Sequence, residues 1–422
     1  ISNKISALLE EKPDDQHLIK QITLLNRADI TTIDSFCLKI VKENFSSLDI
    51  DSSFSIGDSG MMELMKSDVI DALFEKKYKE AVAIKKEVSF FDLVDIFCND
   101  KEDTHLKDEI LKVYNVASSY PMPHKWLINA KEALQVKEEA DVLMLPWLSR
   151  VCEIIKNKAG AAIGQVKIAR EVCMLSGGPD KNIEIADDDE RQFNNILEAD
   201  SYEALQNALD IKFARLKVCK GDAYNEEYVE EFKTLRNAYK NIAKELANFK
   251  VSAQDIVEQL QHMSKYLIPL IELVEEFSCE FMKMKKARRL MEFADIEHMA
   301  YELVCKGYDE NNQAIPTAIG ESIAERYDEI CIDEYQDSNY LQEDILTAVS
   351  GISKGIYNMF MVGDVKQSIY KFRMARPDLF IKKYDRFSED GNEVKIELKN
   401  NFRSRKMVLD TANFFFYQLI GK

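Results

Sequence analysis

The stretch Ile330-Cys331-Ile332-Asp333-Glu334-Tyr335-Gln336-Asp337-Ser338 decides how this chain folds. An apolar run passes without a break into two adjacent carboxylates. Short apolar strands of this kind suit a parallel sheet buried on both faces, and such sheets bind ligands beyond the carboxyl ends of their strands. The pattern predicts a strand over 329–332 that delivers Asp333 and Glu334 to a ligand-binding edge. The alternative is a strand that ends in a plain solvated acidic turn, and the flanking sequence separates the two.

Downstream, the spacing predicts a helix over 339–349, a strand over 358–362, a helix over 377–387, a strand over 393–398 and a helix over 404–419; upstream, a helix covers 295–305. Strands alternating with helices imply a parallel sheet covered by helices. Near the amino end an amphipathic stretch closes at Asn26, a β-branched run Ile30-Thr31-Thr32-Ile33 reads as a strand, and Phe36, Ile40 and Val41 recur at helical spacing within Ser35 to Asn44. From about Asp51 to Lys286 the pattern changes to long amphipathic helices over 61–78, 127–145, 204–216 and 225–249, with few strand-like runs. Turn clusters at 121–123, 176–180 and 186–189 divide this region, and Gly177-Gly178-Pro179-Asp180 with the acidic run behind it reads as a disordered loop. The fold class is α/β: a partial parallel-sheet domain interrupted by a large all-α insertion. The implied units are 1–50, 51–290, 291–398 and 399–422.

Composition narrows the function classes. No run of about 18 apolar residues occurs, and Ile1 opens a polar segment, so neither a membrane span nor a secretory signal is expected. The eight cysteines lie far apart with no C-x-x-C pair, which argues against a zinc site, an iron-sulfur site or a disulfide framework and for a reducing cytoplasm. A net charge of −18 is unfavourable for a protein that coats DNA through bulk electrostatics, since that affinity comes from cations neutralising phosphates. Contact with DNA then needs a local track. Two are present: Lys283 to Arg289, which otherwise reads as a solvated helix face, and Lys366 to Arg376, where Lys366, Lys371, Arg373 and Arg376 interleave with Tyr370 and Phe372.

Two further segments carry chemistry. In Met361-Val362-Gly363-Asp364-Val365-Lys366-Gln367-Ser368-Ile369-Tyr370-Lys371-Phe372-Arg373, Gly363 permits a tight turn off a strand, and Gln367 can donate to a phosphate or position a water. Tyr370 and Phe372 set among cations fit base stacking, or else an ordinary core. In Leu398-Lys399-Asn400-Asn401-Phe402-Arg403-Ser404 an arginine stands at a strand-helix junction, where a surface salt bridge is the plain reading.

Together, in this order, the three segments resemble motifs two, three and four of superfamily 1 DNA helicases of the UvrD type, with a RecA-like motor domain. The resemblance implies that Asp333 ligates Mg²⁺ on ATP, Glu334 is the general base, Gln367 senses the γ-phosphate and Arg403 is the arginine finger. It also implies that Tyr370, Phe372 and Arg373 contact single-stranded DNA, Phe372 standing where these helicases often carry tryptophan. Leu24 to Cys37 resembles the phosphate-contacting motif Ib in the form typical of AddA helicase-nucleases, which makes Thr32 and Ser35 DNA contacts; Asp34 departs from the histidine of many relatives. Phe54 to Asp58 and Met291 to His298 also look like AddA. The units then correspond to motor domain 1A (1–50 and 291–398), a helical domain 1B (51–290) and the start of motor domain 2A (399–422). The implied activity is ATP-driven translocation on single-stranded DNA with duplex unwinding and exonuclease cleavage in double-strand break repair by recombination. The implied partners are single-stranded and duplex DNA and an AddB/RexB-type partner protein in a heterodimer, with no membrane.

The phosphate-binding loop G-x-x-x-x-G-K-[S/T] occurs nowhere in the sequence, whose single Gly-Lys step is Gly421-Lys422. The preceding helicase motif would stand just before Ile1, and most of domain 2A and the nuclease domain would follow the last residue. The chain alone is therefore expected to be inactive. Two other readings stand beside this one: a UvrD- or RecB-type helicase without an AddA role, and a non-hydrolysing DNA- or partner-binding module on an ATPase scaffold.

Overall fold

The computed structural model describes residues 2–25, 28–48, 50–51, 53–83, 89–98, 102–370, 374–388 and 390–419. They form two compact units, one comprising residues 1–65, 118–122 and 282–422 and the other residues 66–117 and 123–281.

The first unit holds all the described strands: β1 (Ser55–Ile56), β2 (Leu290–Met291), β3 (Cys305–Tyr308), β4 (Ala314–Pro316), β5 (Ile330–Ile332) and β6 (Met359–Met361). They pair two by two. β1 runs parallel to β2, β3 and β4 form an antiparallel hairpin, and β5 runs parallel to β6 with Ile330, Cys331 and Ile332 opposite Met359, Phe360 and Met361. The core of the unit lies between helices Ile33–Glu43, Phe293–Val304 and Tyr340–Ala348. Cys37, Ile40 and Val41 recur at three and four residues, which puts them on one helix face, and all three are buried against Ile296, Ala300 and Val304. Burying Ile40, Val41, Ile296 and Val304 contributes about 1.5 to 3 kcal/mol each.

Among the described residues the second unit contains helices and no strand. Its spine is the helix Pro146–Met174, which starts with proline in the first turn, where a missing N–H costs nothing. Ile155, Ala159, Ala162, Ile163, Val166, Ala169 and Val172 form its buried stripe against helices Ile183–Glu198 and Glu226–Ala247. The alanines let the partner helices approach closely. An ion pair is buried there: Asp189 is fully buried and accepts from Nε of Arg236, itself buried, at 3.0 Å and from the Tyr239 hydroxyl at 2.8 Å.

Several expectations from patterning are corrected. Ile30 to Thr32 form no strand, because Thr32 caps the helix that begins at Ile33. Residues 393–398 form a single bridge, Ser388 with Val394, since the described residues offer no neighbouring strand; Ile396 and Leu398 stay exposed. The helix expected over 204–216 ends at Ala208, and the chain then runs extended, tied down where Gln192 exchanges two hydrogen bonds with the Lys212 backbone and Asn182 two with that of Lys217. The acidic run is no disordered loop. It lies in the helix Ile183–Glu198, because Ile185, Ala186, Asp189, Phe193 and Ile196 share a buried face that outweighs the turn propensity of the aspartates. The helix expected over 127–145 breaks into Pro123–Leu134 and Glu139–Leu143.

Candidate nucleotide and DNA site

β5 ends at Ile332, which is buried, and the two residues after it, Asp333 and Glu334, are exposed. Backbone geometry produces that switch. Glu334 is left-handed at φ 51° and ψ 40°, which turns the chain so that Tyr335 enters the core and the Glu334 carboxylate faces outward. A left-handed residue with a side chain costs on the order of 1 to 3 kcal/mol and persists only where its surroundings hold it. Here the surroundings do so: Tyr335 N–H donates to Val362 O at 2.9 Å, Val362 N–H to Ile332 O at 2.9 Å, and the Tyr335 hydroxyl bonds the Glu343 carboxylate. The Glu334 N–H donates to Asp333 Oδ1 at 3.0 Å.

The turn after β6 meets this acidic pair through a residue that motif reading passes over. Gln336 is 1% exposed; its Nε2 donates to Glu334 Oε2 at 2.7 Å, and its Oε1 accepts the Asp364 N–H at 3.0 Å. Gly363 makes the approach possible, because a Cβ there would stand 2.5 Å from Gln336 Oε1. Asp364 in turn accepts from Gln367 Nε2 at 3.1 Å. A continuous hydrogen-bonded path therefore runs from Glu334 through Gln336 and Asp364 to Gln367. Nothing local in the sequence marks Gln336, because its partner Asp364 comes within reach only through the pairing of β5 with β6.

Gln367 also lines an open cleft with Leu398, Lys399, Asn400, Asn401, Phe402 and Arg403. The Arg403 backbone is set by Asn401, whose Oδ1 accepts the N–H groups of Arg403 at 3.0 Å and Ser404 at 2.9 Å. Gln367 and Arg403, 36 positions apart in the chain, are thus brought to one place.

Thr32 and Ser35 are exposed at the start of helix Ile33–Glu43, where the Thr32 hydroxyl donates to Ser35 Oγ at 3.0 Å and accepts the Ser35 N–H at 3.3 Å. Helix starts present free N–H groups and favour anions. Asp34 points the other way, toward Glu297 of helix Phe293–Val304, which also accepts from Gln342 Nε2 at 2.7 Å. Burial pushes the Glu297 carboxyl up to about 7, with Asp34 adding to the shift and the Gln342 bond opposing it. Tyr370 is partly exposed. Phe372 and Arg373 lie outside the described residues.

The basic track at 283–289 is not a uniform solvated face. Lys285 is fully buried and holds Asp295 at 2.6 and 2.8 Å and Glu292 at 3.3 Å, while Arg289 Nε pairs with Asp51 at 3.0 Å. Lys283, Lys286 and Arg288 remain exposed. Among the described residues no group of three or more histidine, cysteine or acidic side chains could hold a metal unaided. A Mg²⁺ ion delivered on phosphates needs less, one or two protein carboxylates beside water and nucleotide. Asp333, exposed at the strand end, meets that requirement.

The first unit thus places a carboxylate pair at the end of a parallel strand, and a glutamine and an arginine on one cleft. Residues 1–388 match the UvrD/REP helicase N-terminal domain, and the chain belongs to that family. It is similar to proteins named as the A-type component of an ATP-dependent helicase/nuclease: 38% identical to that of Clostridium beijerinckii over all of this chain and 34% of the relative. The protein of Lachnoclostridium phytofermentans is 37% identical over 99% of this chain and 31% of the relative, and that of Bacillus cytotoxicus 35% identical over all of this chain and 34% of the relative. The chain spans about a third of the length of the curated relatives it matches. No described helix is long and apolar enough to cross a membrane.

Proposed function

We propose that this chain is the first-motor-domain segment of an AddA-type helicase-nuclease that uses ATP to move along single-stranded DNA. The observation that carries the reading is the hydrogen-bonded path from Glu334 to Gln367 at the carboxyl ends of two parallel strands, with Arg403 on the Gln367 cleft. In this reading Asp333 holds Mg²⁺ on the ATP phosphates. Glu334 takes a proton from the attacking water as the bond between the γ-phosphorus and the departing ADP oxygen breaks. Gln367 donates to the γ-phosphoryl group and Arg403 offsets the charge on it. Thr32 and Ser35 hold DNA phosphates, and Tyr370, Phe372 and Arg373 hold bases and phosphates of the single strand.

The units at 1–50 and 291–398 would be domain 1A, the helical stretch 51–290 an inserted domain 1B that meets duplex DNA, and 399–422 the start of domain 2A. The parent protein would unwind duplex DNA and cut it as an exonuclease in recombinational repair in the cytoplasm, with an AddB/RexB-type partner protein. The 422 residues alone would not turn over ATP, because no G-x-x-x-x-G-K-[S/T] loop is present to hold the β- and γ-phosphates. Phosphate release by this chain and by the full-length protein, each with single-stranded DNA, tests the reading. DNA-stimulated turnover by the full-length protein alone is expected; turnover by the short chain well above a no-enzyme control contradicts it.

A further inference from the structure

We infer that Gln336 is the positioning residue that orients the Glu334 carboxylate and ties it to the state of the Gly363-Asp364 turn, an inference that rests on Glu334 being the base. An amide has one acceptor end and one donor end, and here both are assigned by the network. Oε1 receives the Asp364 N–H, so Nε2 must face Glu334 Oε2. That occupies one carboxylate oxygen and leaves Glu334 Oε1 to meet a water. The amide is 1% exposed, so water does not compete for either bond.

The left-handed backbone at Glu334 would otherwise leave its side chain free to rotate in solvent, since the residue itself is exposed. Gln336 removes that freedom from below. Its other end reports on the next strand. Asp364, whose N–H it accepts, also carries Gln367 through Oδ2, and its own backbone carbonyl accepts the Gln367 N–H at 2.9 Å. A shift of Gln367 on meeting a γ-phosphate, or of the turn when the following segment meets DNA, therefore reaches Glu334 through one buried amide. Gly363 keeps the distance short, since any side chain there would clash with Gln336 Oε1.

The test uses the full-length protein and two near-isosteric substitutions. Gln336→Met keeps the buried shape and removes both hydrogen bonds. Gln336→Glu keeps an acceptor for Asp364 and sets a second carboxylate against Glu334. Both are expected to lower kcat on the order of 10- to 100-fold with KM for ATP within about twofold, as loss of a buried, charge-assisted bond to a base implies. Gln336→Glu alone should also move the acidic limb of the kcat–pH profile upward, because a like charge disfavours an ionised base. Glu334→Gln serves as the control. If it abolishes hydrolysis while Gln336→Glu keeps a wild-type kcat and an unmoved acidic limb, Gln336 does not position the base and the inference falls alone. If Glu334→Gln itself hydrolyses ATP normally, the base assignment falls first. A lower thermal midpoint in Gln336→Met with unchanged kcat per folded molecule assigns Gln336 a purely structural role and also overturns the inference.

Discussion

Substituting Glu297 by Gln should remove a measurable part of the pH dependence of the first unit's stability. Glu297 is buried, accepts from Gln342 Nε2, and faces Asp34 and the buried thiol of Cys37 on helix Ile33–Glu43. Its carboxyl rises from an ordinary 4.5 to about 7. In the native state it keeps a proton that the unfolded chain releases, so its contribution is full below 4.5 and is lost as pH rises through about 7. Each pH step across that window is worth about 1.4 kcal/mol, which gives a loss of about 3 kcal/mol from one end to the other. Glutamine matches the protonated form in shape, accepts the same bond from Gln342 and can donate to Asp34. Trp126 and Trp147 both lie in the second unit, so their fluorescence reports on the wrong part of the molecule. The assay is hydrogen exchange of peptides covering 33–43 and 293–304 at pH 5.5 and pH 8, corrected for intrinsic rates. The wild type should lose about 2 kcal/mol more protection than the variant between those pH values. Equal slopes, or a variant less protected than wild type at pH 8, refute the reasoning.

Lys285→Ala should cost about 3 to 5 kcal/mol in urea unfolding, because it strands the buried Asp295 and the adjacent Glu292 without their cation; stability within about 1 kcal/mol of wild type contradicts this. In the full-length protein Arg403→Ala should lower turnover on the order of 10³-fold or more, and near-normal turnover removes it from the site. Phe372→Ala should weaken single-strand affinity by about 1 to 3 kcal/mol if the ring stacks on a base. A midpoint lowered by many degrees with unchanged affinity per folded molecule would make Phe372 a core residue, whose truncation costs about 3 to 5 kcal/mol of stability.

What the sequence made legible follows from which signals are local. Ile330-Cys331-Ile332 and Met359-Phe360-Met361 announced strands because short apolar runs ending in turn residues have few other uses. Helix Phe293–Val304 and helix Tyr340–Ala348 were legible from apolar spacing, and both open with capping boxes that fix their starts. The misreadings involved residues whose role is set by a distant partner. Asp189 looked like part of a turn in a disordered acidic loop until Arg236 and Tyr239, far along the chain, made it a buried helix residue. Lys285 looked like one cation among five, and Asp295 gave it a different environment. Ile30 to Thr32 has strand propensity, but the Thr32 hydroxyl bonding the Ser35 N–H outweighs it. The same limit hid Gln336: its neighbours in sequence mark the carboxylate pair, and only pairing of β5 with β6 brings Asp364 within reach.

The most direct test of the account is ATP turnover by full-length Glu334→Gln in the presence of single-stranded DNA, measured beside binding of a fluorescent ATP analogue. Phosphate release lost to background with nucleotide affinity retained is the predicted result, since only the proton acceptor has been removed. DNA-stimulated hydrolysis at a rate near that of the wild type would contradict the assignment of this strand end as the motor's catalytic centre.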